Sequence, residues 1–298
     1  ELEYFLVQLN ADGTIEIADK LDTLEKPCYD MAGLTRQYEF LTRVSKYCNE
    51  LGWGNYANDH EDANGQFEQN FTYTDALTSC DRAIFFRYMV HTLAEQDGMI
   101  ATFMPKPFTS LTGNGCHFHM SLWDGDTNLF LDEDDARGLG LSETAYHFIG
   151  GLKKHAKAYS AVTAPTVNSY KRLKLGSTSS GATWSPVWIS YGYNNRTQML
   201  RIPAPGRVED RTVDGSTNPY LAATVILAAG IDEALRFDQD PILCVQRAST
   251  DDVLRAHRRR LDESHRTART LDLKTVGSGF GVCWMMTPKV WLGSTSLS

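Results

Sequence analysis

No run of 18 apolar residues occurs in the 298-residue chain, so nothing in it suggests a membrane-spanning helix. The first residues, ELEYFLVQ, carry carboxylates rather than a basic stretch leading into an apolar one, and no export leader is expected. Cysteine is sparse. Cys28, Cys48, Cys80, Cys116, Cys244 and Cys283 are scattered with no CxxC pair, which argues against a disulfide framework or a thiolate zinc site and points to the reducing cytoplasm. Basic charge is also short: the net charge is −8, and residues 1–240 hold 20 Lys and Arg against 32 Asp and Glu. A body of that sign is unsuited to tracking a phosphate backbone, so no nucleic-acid partner is expected. The basic run RAHRRRLDESHR (255–266) reads as a solvated helix face. No internal repeat is present.

What remains is a globular composition, 42% apolar and 22% charged, long enough for one large core with an appendage. The opening ELEYFLVQL alternates with the two-residue period of a strand, which puts Glu1 and Glu3 on one face. A second short strand, TIEIA, follows the turn at Ala11-Asp12-Gly13. Residues 30–51 carry Leu34, Tyr38, Leu41 and Val44 at helical spacing. Residues 55–74 read as irregular strands around the turn in HEDANGQFEQNF (60–71), with Tyr56, Phe67 and Phe71 destined for a packed layer. A long helix is expected over 74–97, with Ile84, Phe85, Tyr88, Met89 and Leu93 facing inward. Strands follow in IATFM and in NGCHFHMSLWDG, the latter closed by Asp-Gly, and a helix over about 142–162. The Gly/Ser/Thr-rich KLGSTSSGATWSP (174–186) has the composition of a mobile flap. After strands WISYGY and QMLRIP, Asn218 and Pro219 start a buried Ala-rich helix. Strands with helices interspersed rather than strictly alternating indicate an α+β architecture.

Chemistry concentrates in a few places. On the strand CHFHMSL, His117, His119 and Ser121 face one side, and Phe118, Met120 and Leu122 the other. Taken alone, such a histidine is more often a satisfied core group than a ligand. Five carboxylates, however, sit beside apolar or aromatic sequence: Glu1, Glu3, Glu61, Glu68 and Glu209. Each separately has a solvated strand edge as an equally good explanation. Gathered in one cavity they would repel each other and lose hydration, and so require cations. Oxygen donors with one imidazole suit Mg²⁺ or Mn²⁺ better than zinc. Arginines cluster as well, at Arg172, Arg196, Arg201, Arg207 and Arg211, and their planar forks suit carboxylates and phosphates. Arg196 and Arg201 are five apart, so a bulge or bend must intervene if both serve one site.

The stretches ELEYF, HEDANGQFE, TFMPKPF, GNGCHFHMSL, NSYKRL, NNRTQMLRIP, RVEDR and NPYLAA, in this order, resemble the glutamine synthetase family over residues 1–236. PCYD, NDHEDANGQFE, LTGNGCH, TVNSYKR and SGATWSP are most similar to its type III glutamate–ammonia ligase branch, which also holds glutamate–methylamine ligases. The resemblance implies a catalytic domain with a curved, mostly antiparallel sheet (a partial barrel) backed by helices, two divalent metals (Mg²⁺ or Mn²⁺) and ATP as a substrate. It implies ATP-dependent ligation of ammonia to the glutamate γ-carboxylate through a γ-glutamyl phosphate. Methylamine in place of ammonia is the alternative, as is a catalytically incompetent fragment that keeps only metal and nucleotide binding.

By matching motifs, Glu3, Glu61 and Glu68 would hold the metal nearer glutamate and ammonia, and Glu1, His117 and Glu209 the metal nearer the phosphates. Gly113 would admit glutamate, with Arg172 and Arg211 holding it. Arg196 and Arg201 would attend the phosphates, so that Arg172, Arg196 and Arg211 carry the catalytic charge. His119 and Ser121 would line the nucleotide side. Four departures accompany the likeness. The flap stretch has no acid where the family carries a glutamate before Ala-Pro, and Asp59 stands where much of the family has a histidine. The match opens at Glu1, so the family's small N-terminal β-grasp domain is expected to be absent, although full-length relatives form homo-oligomeric rings. Residues 237–298 match nothing in the family and are expected to be an atypical segment, from a truncated or frame-shifted gene end or a divergent accessory piece.

Overall fold

In the computed structural model the residues described are 1–175, 177–178, 181–182, 184–234 and 291–292. The expectations for residues 237–298 fall largely outside them, and four residues of the 174–186 flap (176, 179, 180 and 183) lie outside them as well. No helix among the described residues is long and apolar enough to cross a membrane.

The chain runs β1 (Leu2–Leu9), β2 (Ile15–Ile17), α1 (Met31–Arg36), α2 (Tyr38–Glu50), β3 (Asn55–His60), β4 (Gln66–Phe71) and α3 (Ala76–Gln96). It continues through β5 (Ile100–Thr102), β6 (Phe118–Met120), β7 (Trp123–Asp124), β8 (Thr127–Asn128), α4 (Glu143–Thr163) and α5 (Val167–Arg172). Last come β9 (Ser177–Thr178), β10 (Gly181–Ala182), β11 (Trp188–Tyr193), β12 (Gln198–Ala204), β13 (Arg207–Asp210), α6 (Pro219–Ala234) and β14 (Trp291–Leu292). The helix expected over 30–51 is two helices, because the chain leaves helical geometry at Gln37 (φ −100°, ψ 14°). Asn218 caps α6 as expected: its Oδ1 accepts from the backbone N–H of Tyr220 and Leu221, and Pro219 opens the helix.

Two sheets carry the site. The first has the order β2-β1-β4-β3, with β5 also on β1, and all its pairings are antiparallel. The second has the order β11-β12-β13-β6, antiparallel except for the β11/β12 pair. They are stitched where Leu2 bridges Cys116 and the Glu3 N–H bonds the Gly115 carbonyl at 3.1 Å. The result is one curved wall with a concave face, the curled, mostly antiparallel half-barrel that the motifs implied.

Alternation along β1 divides its side chains. Leu2, Tyr4 and Leu6 enter the main core, where the Tyr4 ring meets Phe40, Phe86 and Phe103 at centroid distances of 6.5, 6.2 and 5.5 Å. Glu1 and Glu3 are left on the concave face. Helices α2, α3, α4 and α6 back the convex side. In α3 the buried stripe is Cys80, Ala83, Phe86, Met89, Val90, Leu93 and Ala94, while Ile84, Phe85 and Tyr88 are exposed, which corrects the inward face expected for that helix. The helix is apolar on both sides, so periodicity had little contrast with which to choose. Phe67 and Phe71 pack inward as expected, whereas Tyr56 is exposed.

Candidate active site

Register builds the site. Glu3 on β1 lies directly opposite Glu68 on β4, and Glu68 lies opposite Asp59 on β3. In the second sheet His119 faces Glu209, which faces Arg201. Like charges directly across a strand pair are unfavourable, so the row Asp59–Glu68–Glu3 is costly unless something cationic meets it. The seam between the sheets brings His117 into the gap. Its Nε2 lies 3.6 Å from Glu3 Oε1, and its Nδ1 lies 3.6 Å from Glu209 Oε1 and 3.9 Å from Glu1 Oε2. Donor atoms of Glu1, His117 and Glu209 lie within 4.8 Å of one another, as do those of Glu3, Glu68 and His117. That is the scale on which an ion with bonds of about 2.1 Å gathers ligands. Among the described residues these are two donor sets sharing one imidazole.

Glu61 and Glu68 both line the same cavity, of about 180 Å³, together with Glu1, Glu3, Gly113 and His117. Glu61 stands at the start of the 61–66 turn and is not a member of either compact triad. Arg172, Arg196, Arg201 and Arg211 line the cavity too. A turn through Asn194 (φ 48°) lets Arg196 and Arg201 reach it from one chain segment, which supplies the bend that their spacing demanded. His119 and Ser121 are buried but do not line the cavity. His119 Nε2 bonds Glu1, and Ser121 Oγ accepts from Trp123 Nε1 at 2.9 Å. Glu209 is fully buried behind the cavity and is paired with Arg201 (2.7 Å) and Arg211.

The electrostatics differ sharply along the wall. Burial, then the charge of Glu209, pushes the Glu1 carboxyl up to about 7. Burial, then Glu3, pushes Glu61 up to about 8. Glu68 is held well above the ordinary carboxylate range by burial, with Glu1, Glu61 and Glu3 adding repulsion. Burial opposes ionisation of Glu209 as well, but Arg211 foremost, then His119 and Arg201, overcome it and hold that carboxyl at about 2. His117 is kept neutral, well below its usual range, by burial and by Arg211 and Arg172. A neutral imidazole is already in the state that coordinates a divalent ion, and carboxyls that hold protons because they are crowded and buried give them up when a cation meets them. The residues present therefore fit a pair of hard cations.

Several residues that sequence reasoning passed over hold the wall in shape. Gln66 Nε2 lies 3.1 Å from Glu3 Oε2, 3.1 Å from the Gly113 carbonyl and 3.0 Å from Asn114 Oδ1. The Gly115 N–H donates to Glu3 Oε2 at 2.7 Å. A Cβ at Gly115 would meet His117 Nε2 at 2.4 Å, and one at Gly113 would meet the Pro105 carbonyl at 2.3 Å. These glycines are close-approach positions. Lys106 is buried on the cavity wall, and burial followed by Lys174 and Arg172 lowers its ammonium to about 8. Arg196 stacks on Trp184, 4.8 Å from the ring centroid, and donates to the Tyr29 hydroxyl at 3.2 Å. Cross-chain contacts of this kind leave no short-range signal. Gly113 and Arg196 were already singled out from their motifs, and of the rest only Gly115 could have been suspected, from the Asn-Gly-Cys-His run.

The family model described as glutamine synthetase, catalytic domain, matches residues 1–237. The glutamine synthetase of Rhizobium leguminosarum bv. phaseoli is 52% identical over 243 residues, which are 81% of this chain and 54% of that protein. The glutamate–methylamine ligase of Methyloversatilis universalis is 51% identical over 241 residues, again 81% of this chain and 54% of that protein. Near-equal identities do not separate the two activities. A solved structure described as a GmaS/ADP complex superimposes with a TM-score of 0.76 at 45% identity, covering 92% of this chain and 68% of that one. Plasmodium falciparum glutamine synthetase, solved by cryo-electron microscopy, has a TM-score of 0.64 at 26% identity over 80% of this chain and 51% of that one. The chain thus spans about half the length of the curated relatives it matches.

Proposed function

The chain belongs to the glutamine synthetase family through its catalytic domain, and from that premise we propose that its cavity joins an amine, ammonia first, to the γ-carboxylate of glutamate with cleavage of ATP. The observation that carries this reading is the convergence of Glu1, Glu3, Glu61 and Glu68, with His117, and of four arginines on one cavity. Such a balance of anions and cations suits phosphoryl transfer, in which the protein mainly positions and neutralises.

In this reading Glu3, Glu61 and Glu68 hold one divalent ion, Mg²⁺ or Mn²⁺, and Glu1, His117 and Glu209 hold the other. When bound, the ions screen the phosphate oxygens and draw the two anionic substrates together. Gly113 leaves space for glutamate between Arg172 and Arg211. Arg172 is held by the Arg211 carbonyl (2.9 Å), and Arg211 by Glu209 and the Arg196 carbonyl (3.1 Å), so both forks are pre-oriented. Arg196 and Arg201 face the transferring phosphoryl group. The glutamate γ-carboxylate displaces ADP from the γ-phosphate, and the amine then displaces phosphate from the acyl phosphate and gives up a proton. Residues 174–186 contain no acid, so that proton passes to a carboxylate of the cavity wall. Assembly with further copies into a ring is part of the same reading, as is a division of the chain at residue 236.

Methylamine is the second reading, favoured by Trp184, which lines the cavity within the acid-free stretch and adds an apolar surface there, against the same Arg196 that Tyr29 contacts. Phosphate release with ATP, Mg²⁺ and glutamate, compared with ammonia, with methylamine and with neither, tests both. Release that requires an amine supports ligation and names the amine. Metal and nucleotide binding without release identifies a binding fragment instead.

A further inference from the structure

Asp22 lies in none of the stretches that suggested chemistry, yet it is 5% exposed, in the segment between β2 and α1. Its Oδ2 accepts from the Gly65 N–H at 2.6 Å and lies 2.7 Å from His60 Nε2, and its Oδ1 accepts from Asn64 Nδ2 at 3.2 Å. His60 is 1% exposed, and its Nδ1 lies 2.9 Å from the Glu61 carbonyl. Both imidazole nitrogens thus face oxygen acceptors. The Phe67 ring packs edge-on at 5.1 Å, and Gly33 leaves the remaining space, since a Cβ there would lie 2.7 Å from Nε2. One carboxylate from a remote segment therefore grips both ends of the turn that carries Glu61: His60 before it, Asn64 and Gly65 after it. Asp22 does not line the cavity, so it contributes nothing there directly.

We propose that Asp22, acting through His60 and Gly65, is a positioning residue that holds the 61–66 turn so that Glu61 stands with Glu3 and Glu68, and thereby sets the divalent-cation affinity on that side of the cavity. This rests on the two-metal reading above. The physical warrant is that a carboxylate ligand on a free turn must lose backbone entropy on binding, whereas a clamped one is already placed. Hydrogen-bonded partners behind metal ligands commonly govern affinity by about 10–100-fold.

The test is Mn²⁺ binding to the whole chain without nucleotide, followed by the electron paramagnetic resonance signal of free Mn²⁺, for the parent and for Asp22→Asn. Glutamate KM and half-saturating Mg²⁺ in the phosphate-release assay are measured alongside. The expected result is Mn²⁺ affinity weakened by about 10–100-fold, half-saturating Mg²⁺ raised in parallel, and glutamate KM within about twofold of the parent. Unchanged Mn²⁺ affinity overturns the proposal, as does an equal loss of metal and glutamate affinity, which marks a merely structural residue. Asn64→Ala, which removes its bonds to Asp22 and to the Leu24 carbonyl and spares the His60 link, guards against misfolding of the first variant. It should weaken Mn²⁺ binding a few-fold, and an unchanged affinity in it counts against the clamp. A parent with no Mn²⁺ affinity overturns the two-metal reading and the clamp together, whereas a parent that binds alongside an Asp22→Asn variant that binds equally well overturns the clamp alone.

Discussion

Glu209 and Glu61 are both carboxylates of one wall, but they meet their environment differently. Glu209 is enclosed with Arg201 and Arg211, so removing its charge strands two guanidinium groups in a low-dielectric interior. Glu209→Gln should destabilise the chain by about 3–5 kcal/mol in urea unfolding. A midpoint equal to the parent's would show that the arginines find other partners. Glu61 is crowded by Glu3, Asp59 and Glu1, so its loss relieves repulsion in the metal-free protein. Glu61→Ala should therefore melt, in the presence of chelator, at or above the parent temperature, while metal-dependent phosphate release is lost and Mn²⁺ affinity falls at least about 10-fold. A lower metal-free melting temperature with unchanged turnover would remove Glu61 from the proposed set. The glutamates and His117 were legible from local sequence because their motifs are contiguous. Gln66, Lys106 and Asp22 were not, because what gives each its importance is a partner far away along the chain.

Among the elements, the pair α4 and α6 shows how backbone approach is set by side-chain absence. A Cβ at Gly151 would lie 2.1 Å from the Ala229 carbonyl, and one at Gly230 would lie 2.1 Å from Phe148 Cε2. The first obstacle is backbone and cannot rotate away. Gly151→Ala should cost about 1–3 kcal/mol by chemical denaturation despite the better helix propensity of alanine, and a stabilised variant would mean that the helices part readily. Helix α3 teaches the converse. Its existence and length followed from a long apolar stretch, but the inward choice of Ile84, Phe85 and Tyr88 failed, because the stripe through Ala83, Phe86 and Val90 is equally apolar and was selected by the sheet beneath it.

For the molecule as a whole, the concave face stores a proton-linked instability. The folded-state values of Glu1 and Glu61, about 7 and about 8, lie above the ordinary carboxylate value of about 4.3. Across that interval these two carboxyls hold protons in the native chain that the unfolded chain has lost, which lowers stability as pH rises, while the buried, neutral His117 and His119 act in the opposite sense below about pH 7. Melting temperatures in chelator should decline from about pH 7 to pH 8.5, where the unfolded histidines have already lost their protons. Saturating Mg²⁺ or Mn²⁺ should raise them most at the alkaline end, where the carboxylates are free of protons. A flat profile with and without metal would mean that the wall carries no such strain.

Strand alternation in β1, the cap and proline that start α6, the charge balance and the motif order were all open to reading from the chain alone, since each depends on neighbours within a few residues. Which carboxylates share a triad was decided by folding. The register Glu3–Glu68, the seam at Leu2 and Cys116, and the placement of His117 between two sheets depend on pairings between residues far apart along the chain, 65 residues for Glu3 with Glu68 and 114 for Leu2 with Cys116, and cross-strand distance is set by tertiary packing rather than by separation along the chain.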